Sequence, residues 1–125
     1  MRLREVAIEI GKTPSLLYIT RSKNREKYDY MFGFDENKYT SLMLFKQHVQ
    51  ELQDKVGELL YEVSNKQLKV FMELVGYKAS NVYSFKQQVY SVIDDDNFMK
   101  PTIQYINRLE KIHKLILIWK GGNQC

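Results

Sequence analysis

Between Lys12 and Tyr28 the chain gathers Lys12, Arg21, Lys23, Arg25 and Lys27 against Glu26 alone. Cations packed this closely can hold a polyanion such as a phosphate backbone. The same stretch carries the hydroxyls of Thr13, Ser15, Tyr18 and Ser22, which can exchange hydrogen bonds with polar edges. Other chemistry-bearing residues lack the spacing that catalysis or metal binding needs. His48 and His113 are the only histidines, stand far apart and have no acidic partner at metal-ligand spacing, so they read as helix-surface or interface residues. Asp94, Asp95 and Asp96 lack the glycine and glutamate of a calcium-binding loop and read as a capping turn. Neither a glycine-rich phosphate loop nor a nucleophile elbow occurs. The residues therefore point to a binding protein, not an enzyme, with no cofactor and no metal.

Composition sets the frame in which such residues are held. With 125 residues, 44% of them hydrophobic, the chain suits one compact unit with its own core. A net charge of +4 permits a nucleic-acid partner without requiring one. The single cysteine, Cys125, excludes an internal disulfide and offers no second thiol for zinc, which fits a reducing cytoplasm. The start "MRLREVAIEI" lacks the apolar run of a secretory signal. "LILIW" (Leu115 to Trp119) falls far short of the roughly 20 residues of a membrane span. A soluble, cytoplasmic protein without membrane association is expected.

Few prolines and glycines, and apolar residues recurring at three-to-four spacing, predict an all-α fold of about six to seven helices. Leu3, Val6, Ala7 and Ile10 share one side of a first helix that Gly11 ends. Thr13 can cap a second, with Pro14 at its first position, running to Arg21 or Ser22. A third holds "REKYDYMF" and closes at Gly33; Thr40 or Ser41 is the expected cap of the next. Leu42, Phe45, Val49, Leu52, Val56, Leu59 and Val63 then mark a long central helix. Their flanking charges do not pair as in a parallel coiled coil, which favours an intramolecular core over a dimer seam. Ser64 and Asn65 read either as a break before "KQLKVFMELVG" or as part of one bent helix that continues to Val75, with Gly76 ending the segment in both cases. Ser80 or Asn81 caps a further helix with Val82, Phe85, Val89 and Val92 inward, "DDDN" makes a turn and a negatively charged helix start, and a final helix spans Pro101 to Lys120 before a frayed "GGNQC".

A helix-turn-helix needs a small residue where its helices cross, a turn residue tolerant of positive φ, and a second helix with an apolar inner and a polar outer side. Ala7, Gly11, the inward Val6 and Ile10, and the returning Leu17 meet these demands. "EVAIEIGKTPSLLYI" accordingly resembles the helix-turn-helix of small bacterial and phage regulators of the repressor type, with Lys12 and Thr20 at positions where aliphatic residues are usual. The resemblance covers only about Leu3 to Ser22. It implies a sequence-specific DNA-binding transcriptional regulator whose recognition helix, about residues 14–22, enters the major groove.

On that alignment Thr13, Ser15, Tyr18, Arg21 and Ser22 are the expected base contacts, and Lys12, Lys23, Arg25 and Lys27 the phosphate contacts. Residues 1–34 form the DNA-binding segment and 35–125 a helical bundle and oligomerisation region packed with it as one unit. The aromatic run "YDYMFGF" is expected to dock on the long helix and brace the motif. Double-stranded DNA is the expected partner, read by a homodimer on half-sites about 34 Å apart, with "KLILIWK" as a dimer contact. Two other readings remain open: an all-helical adaptor or inhibitor that binds another protein, and an RNA-binding module that stacks bases on tyrosines.

Overall fold

The computed structural model describes residues 2–78 and 81–123. Their regular structure is entirely helical, in seven α-helices: α1 (Leu3–Glu9), α2 (Pro14–Lys23), α3 (Arg25–Met31), α4 (Lys38–Leu60), α5 (Asn65–Leu74), α6 (Val82–Val89) and α7 (Ile103–Asn123). None of these is long and apolar enough to cross a membrane. Polar caps start several of them as the sequence implies. Asn24, Ser64 and Asn81 accept from the backbone N–H groups of Lys27, Gln67 and Ser84, each cap worth about 1 kcal/mol. The break at Ser64 therefore separates α4 from α5. Ser80, the other candidate for the α6 cap, lies outside the described residues.

Several boundaries differ from the sequence reading. Asn37, not Thr40 or Ser41, caps α4, because its Oδ1 accepts from Thr40 N at 3.0 Å. Ser41 is instead buried one turn in, where its Oγ donates to Met31 O (2.7 Å) and accepts from Phe34 N (3.0 Å). The tripeptide of aspartates starts no α-helix: Asp94 Oδ1 accepts from the N–H groups of Asp96 and Asn97, closing a turn well before α7. Val92 follows the end of α6 and is 69% exposed, since the helical period that would have turned it inward has stopped at Val89. Helix α7 continues through Gly121 to Asn123, where a frayed tail was expected; Gln124 and Cys125 lie outside the described residues.

Contacts divide the chain into two compact units, Met1–Val49 with Ile93–Ile103, and Gln50–Val92 with Gln104–Cys125. In the first, α1 contributes Leu3, Val6 and Ala7, α2 contributes Leu17, and α3 contributes Tyr28 and Met31 to a core completed by Leu42, Phe45, Val49, Ile93 and Phe98. The aromatic run docks on the first turns of α4 as expected. Tyr30 meets Phe45 edge-on at 5.9 Å, Phe34 lies 6.1 Å from Phe45, and the Tyr30 hydroxyl is hydrogen-bonded to His48 Nε2 at 3.0 Å.

The second unit buries Leu52, Val56 and Leu60 of α4 with Val63, Leu68, Phe71 and Met72 around α5, Phe85 and Val89 of α6, and Tyr105, Ile106, Leu109, Ile112 and Ile116 of α7. The predicted stripe along α4 is thus used up within the chain, apart from the half-buried Leu59. Gln53 is only 1% exposed, and its amide is matched on both ends: Nε2 donates to Ser91 O at 2.9 Å and Oε1 accepts from Tyr105 OH at 2.7 Å. A buried amide left unpaired would cost about 1–3 kcal/mol, so this pairing fixes which turn of α4 faces α7. Burial holds the Tyr105 phenol neutral, its pKa pushed well above the usual tyrosine value.

Candidate nucleic-acid interface

The corner between α1 and α2 is built by a Schellman turn. Gly11 adopts φ +74°, Gly11 N donates to Ile8 O (3.1 Å) and Lys12 N to Ala7 O (2.8 Å), satisfying two carbonyls that the end of α1 would otherwise strand. Nothing lies within 4 Å of a Cβ placed on Gly11, so the glycine is required by the sign of φ and not by space. Ala7 is fully buried at the crossing and Leu17 is the buried residue of α2. Residues 3–23 are therefore two short helices joined by a glycine turn, with Ala7 and Leu17 buried.

Lys12 stands where an aliphatic residue is usual in such corners, and its surroundings explain why a lysine serves. Its ammonium sits 5.9 Å from the Phe98 ring centre and donates to Asp96 O at 3.4 Å, so the half-buried stem covers apolar surface while the charge reaches a carbonyl. Lys27 behaves alike: its Nζ donates to Met99 O, and burial lowers its pKa. Lys46 completes the pattern through a 2.6 Å ion pair with Asp95, whose carboxyl is held below the usual range chiefly by that hydrogen bond. Three lysines thus clasp the segment Asp95–Met99. Two of them were expected on phosphates. Sequence reasoning missed this role, although the adjacent run Asp94–Asp96 offered a complementary charge.

The remaining candidates lie on the outside of α2 and α3. Thr13 precedes α2 with extended backbone (φ −74°, ψ 139°), makes no side-chain cap, and accepts from Ser15 Oγ at 3.4 Å. Ser15, Tyr18 and Ser22 recur at helical spacing, all exposed, with Ser15 and Ser22 on the side away from Leu17 and Tyr18 on its flank. Ser22 Oγ donates to Ile19 O at 3.2 Å, leaving its oxygen able to accept. Thr20, the other departure from the repressor pattern, returns its hydroxyl to Leu16 O at 2.9 Å. Arg21 lies over Tyr18 with its guanidinium carbon 5.0 Å from the ring centre, which orients both side chains on one flank of the helix. Lys23 is exposed in the last turn of α2, where a cation is favoured by the helix dipole. Arg25 pairs with Asp29 at 3.0 Å and lies over Tyr28, an exposed ion pair that a stronger anion can replace at little cost.

The structure leaves Thr13, Ser15, Tyr18, Arg21, Ser22, Lys23 and Arg25 exposed in the first unit, and turns the ammonium groups of Lys12 and Lys27 toward the returning segment. Apolar residues are exposed on the same helices: Ile19 is 52% and Leu16 39% exposed on α2, and Ile8 of α1 is 64% exposed. Among the described residues, no group of three or more histidine, cysteine or acidic side chains is placed to hold a metal ion. No protein family, curated protein or solved structure matches the chain.

Proposed function

We propose that the chain is a DNA-binding transcriptional regulator that sets α2 in the major groove and acts by binding, without catalysis. The observation that carries this reading is the exposed row of Ser15, Tyr18, Arg21 and Ser22 on a helix anchored by a glycine-turned corner, with Lys23 and Arg25 at its end. Hydroxyl and guanidinium groups can exchange hydrogen bonds with base edges, the exposed Ile19 can meet a thymine methyl, and Lys23 and Arg25 can reach phosphates at the groove wall. One short helix reads few base pairs, so a two-fold pair of chains on a palindromic site belongs to the same proposal.

The test is an equilibrium titration of the full chain with random duplex DNA across a salt series. Binding whose logarithm falls linearly with log salt is expected, and Lys23→Ala with Arg25→Ala should reduce the slope by about two. Absence of binding at low salt, or a slope unchanged in the double variant, would overturn the reading. The exposed Ile8, Leu16 and Ile19 favour a second reading, in which the same corner docks on another protein. In that case Leu16→Ser with Ile19→Ser would abolish partner capture while duplex DNA binds neither form.

A further inference from the structure

A second surface lies in the other unit, away from α2 in sequence, and is independent of the DNA reading. Helices α5 and α7 line a groove of about 400 Å³ whose walls are Leu74, Val75, Lys111, Lys114 and Leu115. Phe71 meets Trp119 edge-on at 6.2 Å while Leu74 and Val75 share the groove with Lys111 and Leu115, so the two helices run antiparallel along it. Each carries an apolar stripe on to the next turn. Val70 precedes Leu74 by one turn of α5, and Ile118 follows Leu115 by one turn of α7. These positions are left unusually open for large aliphatic residues: Val70 is 45%, Leu74 67% and Ile118 72% exposed. At one end the groove is held by Arg108, which donates to Gly76 O at 3.0 Å and stacks over Tyr77, so the walls are fixed in place.

The charge at this groove selects the occupant. Lys111 and Lys114 stand on α7 two turns and one turn before Ile118, both exposed and neither ion-paired among the described residues, and their stems supply apolar wall while their ammonium groups reach the rim. Among the described residues, no acidic side chain lines the groove. Two copies docked through this groove would gather four lysines in one interface with no acidic lining residue to match them, which is unfavourable. A small polar ligand would find no buried donor or acceptor to orient it. We propose that the α5–α7 groove receives an amphipathic helix of another protein, with apolar residues one turn apart facing Val70, Leu74, Leu115 and Ile118, and glutamate or aspartate beside them facing Lys111 and Lys114.

The probe is a fluorescein-labelled synthetic helix with leucines at i, i+4 and i+7 and flanking glutamates, titrated with the full chain by anisotropy. A matched peptide with lysines in place of the glutamates is its control. The glutamate peptide is expected to bind and the lysine peptide to bind at least about tenfold more weakly, and Lys111→Glu with Lys114→Glu should reverse that order. Leu74→Asp with Ile118→Asp should abolish binding of both peptides, while the unchanged far-ultraviolet spectrum and melting temperature expected of exposed positions show that the fold is intact. Equal binding of the two peptides, no binding of either, or self-association of the chain that Ile118→Asp abolishes, would each overturn the proposal. The peptide titration reads the α5–α7 groove and the duplex titration of the parent chain reads the α2 surface, so the two readings are tested by separate measurements.

Discussion

Truncating Phe45 to alanine is expected to lower stability by about 3–5 kcal/mol, a large share of the 5–15 kcal/mol that holds a typical domain. The side chain is fully buried in the first unit, meets Tyr30 edge-on at 5.9 Å and lies 6.1 Å from Phe34. Its removal would leave a cavity lined by rings that cannot collapse freely, because Tyr30 is tied to His48 and the backbone beside Phe34 is tied to Ser41. The loss therefore combines transfer of the ring to water with an unfilled void. A urea titration checks it: the midpoint should fall while the slope stays constant. Leu44→Ala, at a neighbouring position 38% exposed, should shift the midpoint by about 0.5 kcal/mol or less. A Phe45→Ala loss below about 1 kcal/mol would contradict the assignment of this ring as the brace behind the helix pair.

Leu17→Ala is the second large effect, expected at about 2–5 kcal/mol. Leu17 is the buried residue of α2, whose other apolar side chains, Leu16 and Ile19, are exposed. Helix α2 gains little from its own sequence, because ten residues are too few to be stable in isolation and its N-terminal Thr13 gives no side-chain cap. Its seating therefore depends on one leucine, buried like Val6 and Ala7 in the core of the first unit. Thermal melting of Leu17→Ala beside Leu16→Ala separates anchoring from surface hydrophobicity: the first should melt much lower, the second close to the parent. Equal effects at the two positions would mean that α2 is not seated as described.

What the sequence disclosed, and what it withheld, follows from the range of the forces involved. The α4 stripe and the glycine turn at Gly11 were legible because each rests on helical period or φ sign, whereas at Ser64 the sequence left a break and one bent helix both open, and the cap on Gln67 N decides for the break. The α4 start was misplaced because residues able to cap, Asn37, Thr40 and Ser41, lie close together in sequence, and only tertiary contact shows that Ser41 is spent on Met31 and Phe34. Val92 was misjudged by extending a period beyond the end of its helix. Lys12 and Lys27 could be read as basic, but their carbonyl partners at Asp96 and Met99 lie far along the chain, and no local rule pairs an ammonium with a distant backbone oxygen. The α5–α7 groove escaped for the same reason: each helix alone reads as ordinary amphipathic pattern, and the surface exists only where two stripes run side by side.

The central claim is that the outer side of α2 meets duplex DNA, and the most direct test is the backbone amide ¹H–¹⁵N spectrum of the full chain as a short duplex is added at low salt. Shift changes concentrated between Thr13 and Arg25, fading as salt is raised, are the expected result. A spectrum that duplex leaves unchanged, or changes centred on the α5–α7 groove with the Thr13–Arg25 amides unmoved, would contradict it.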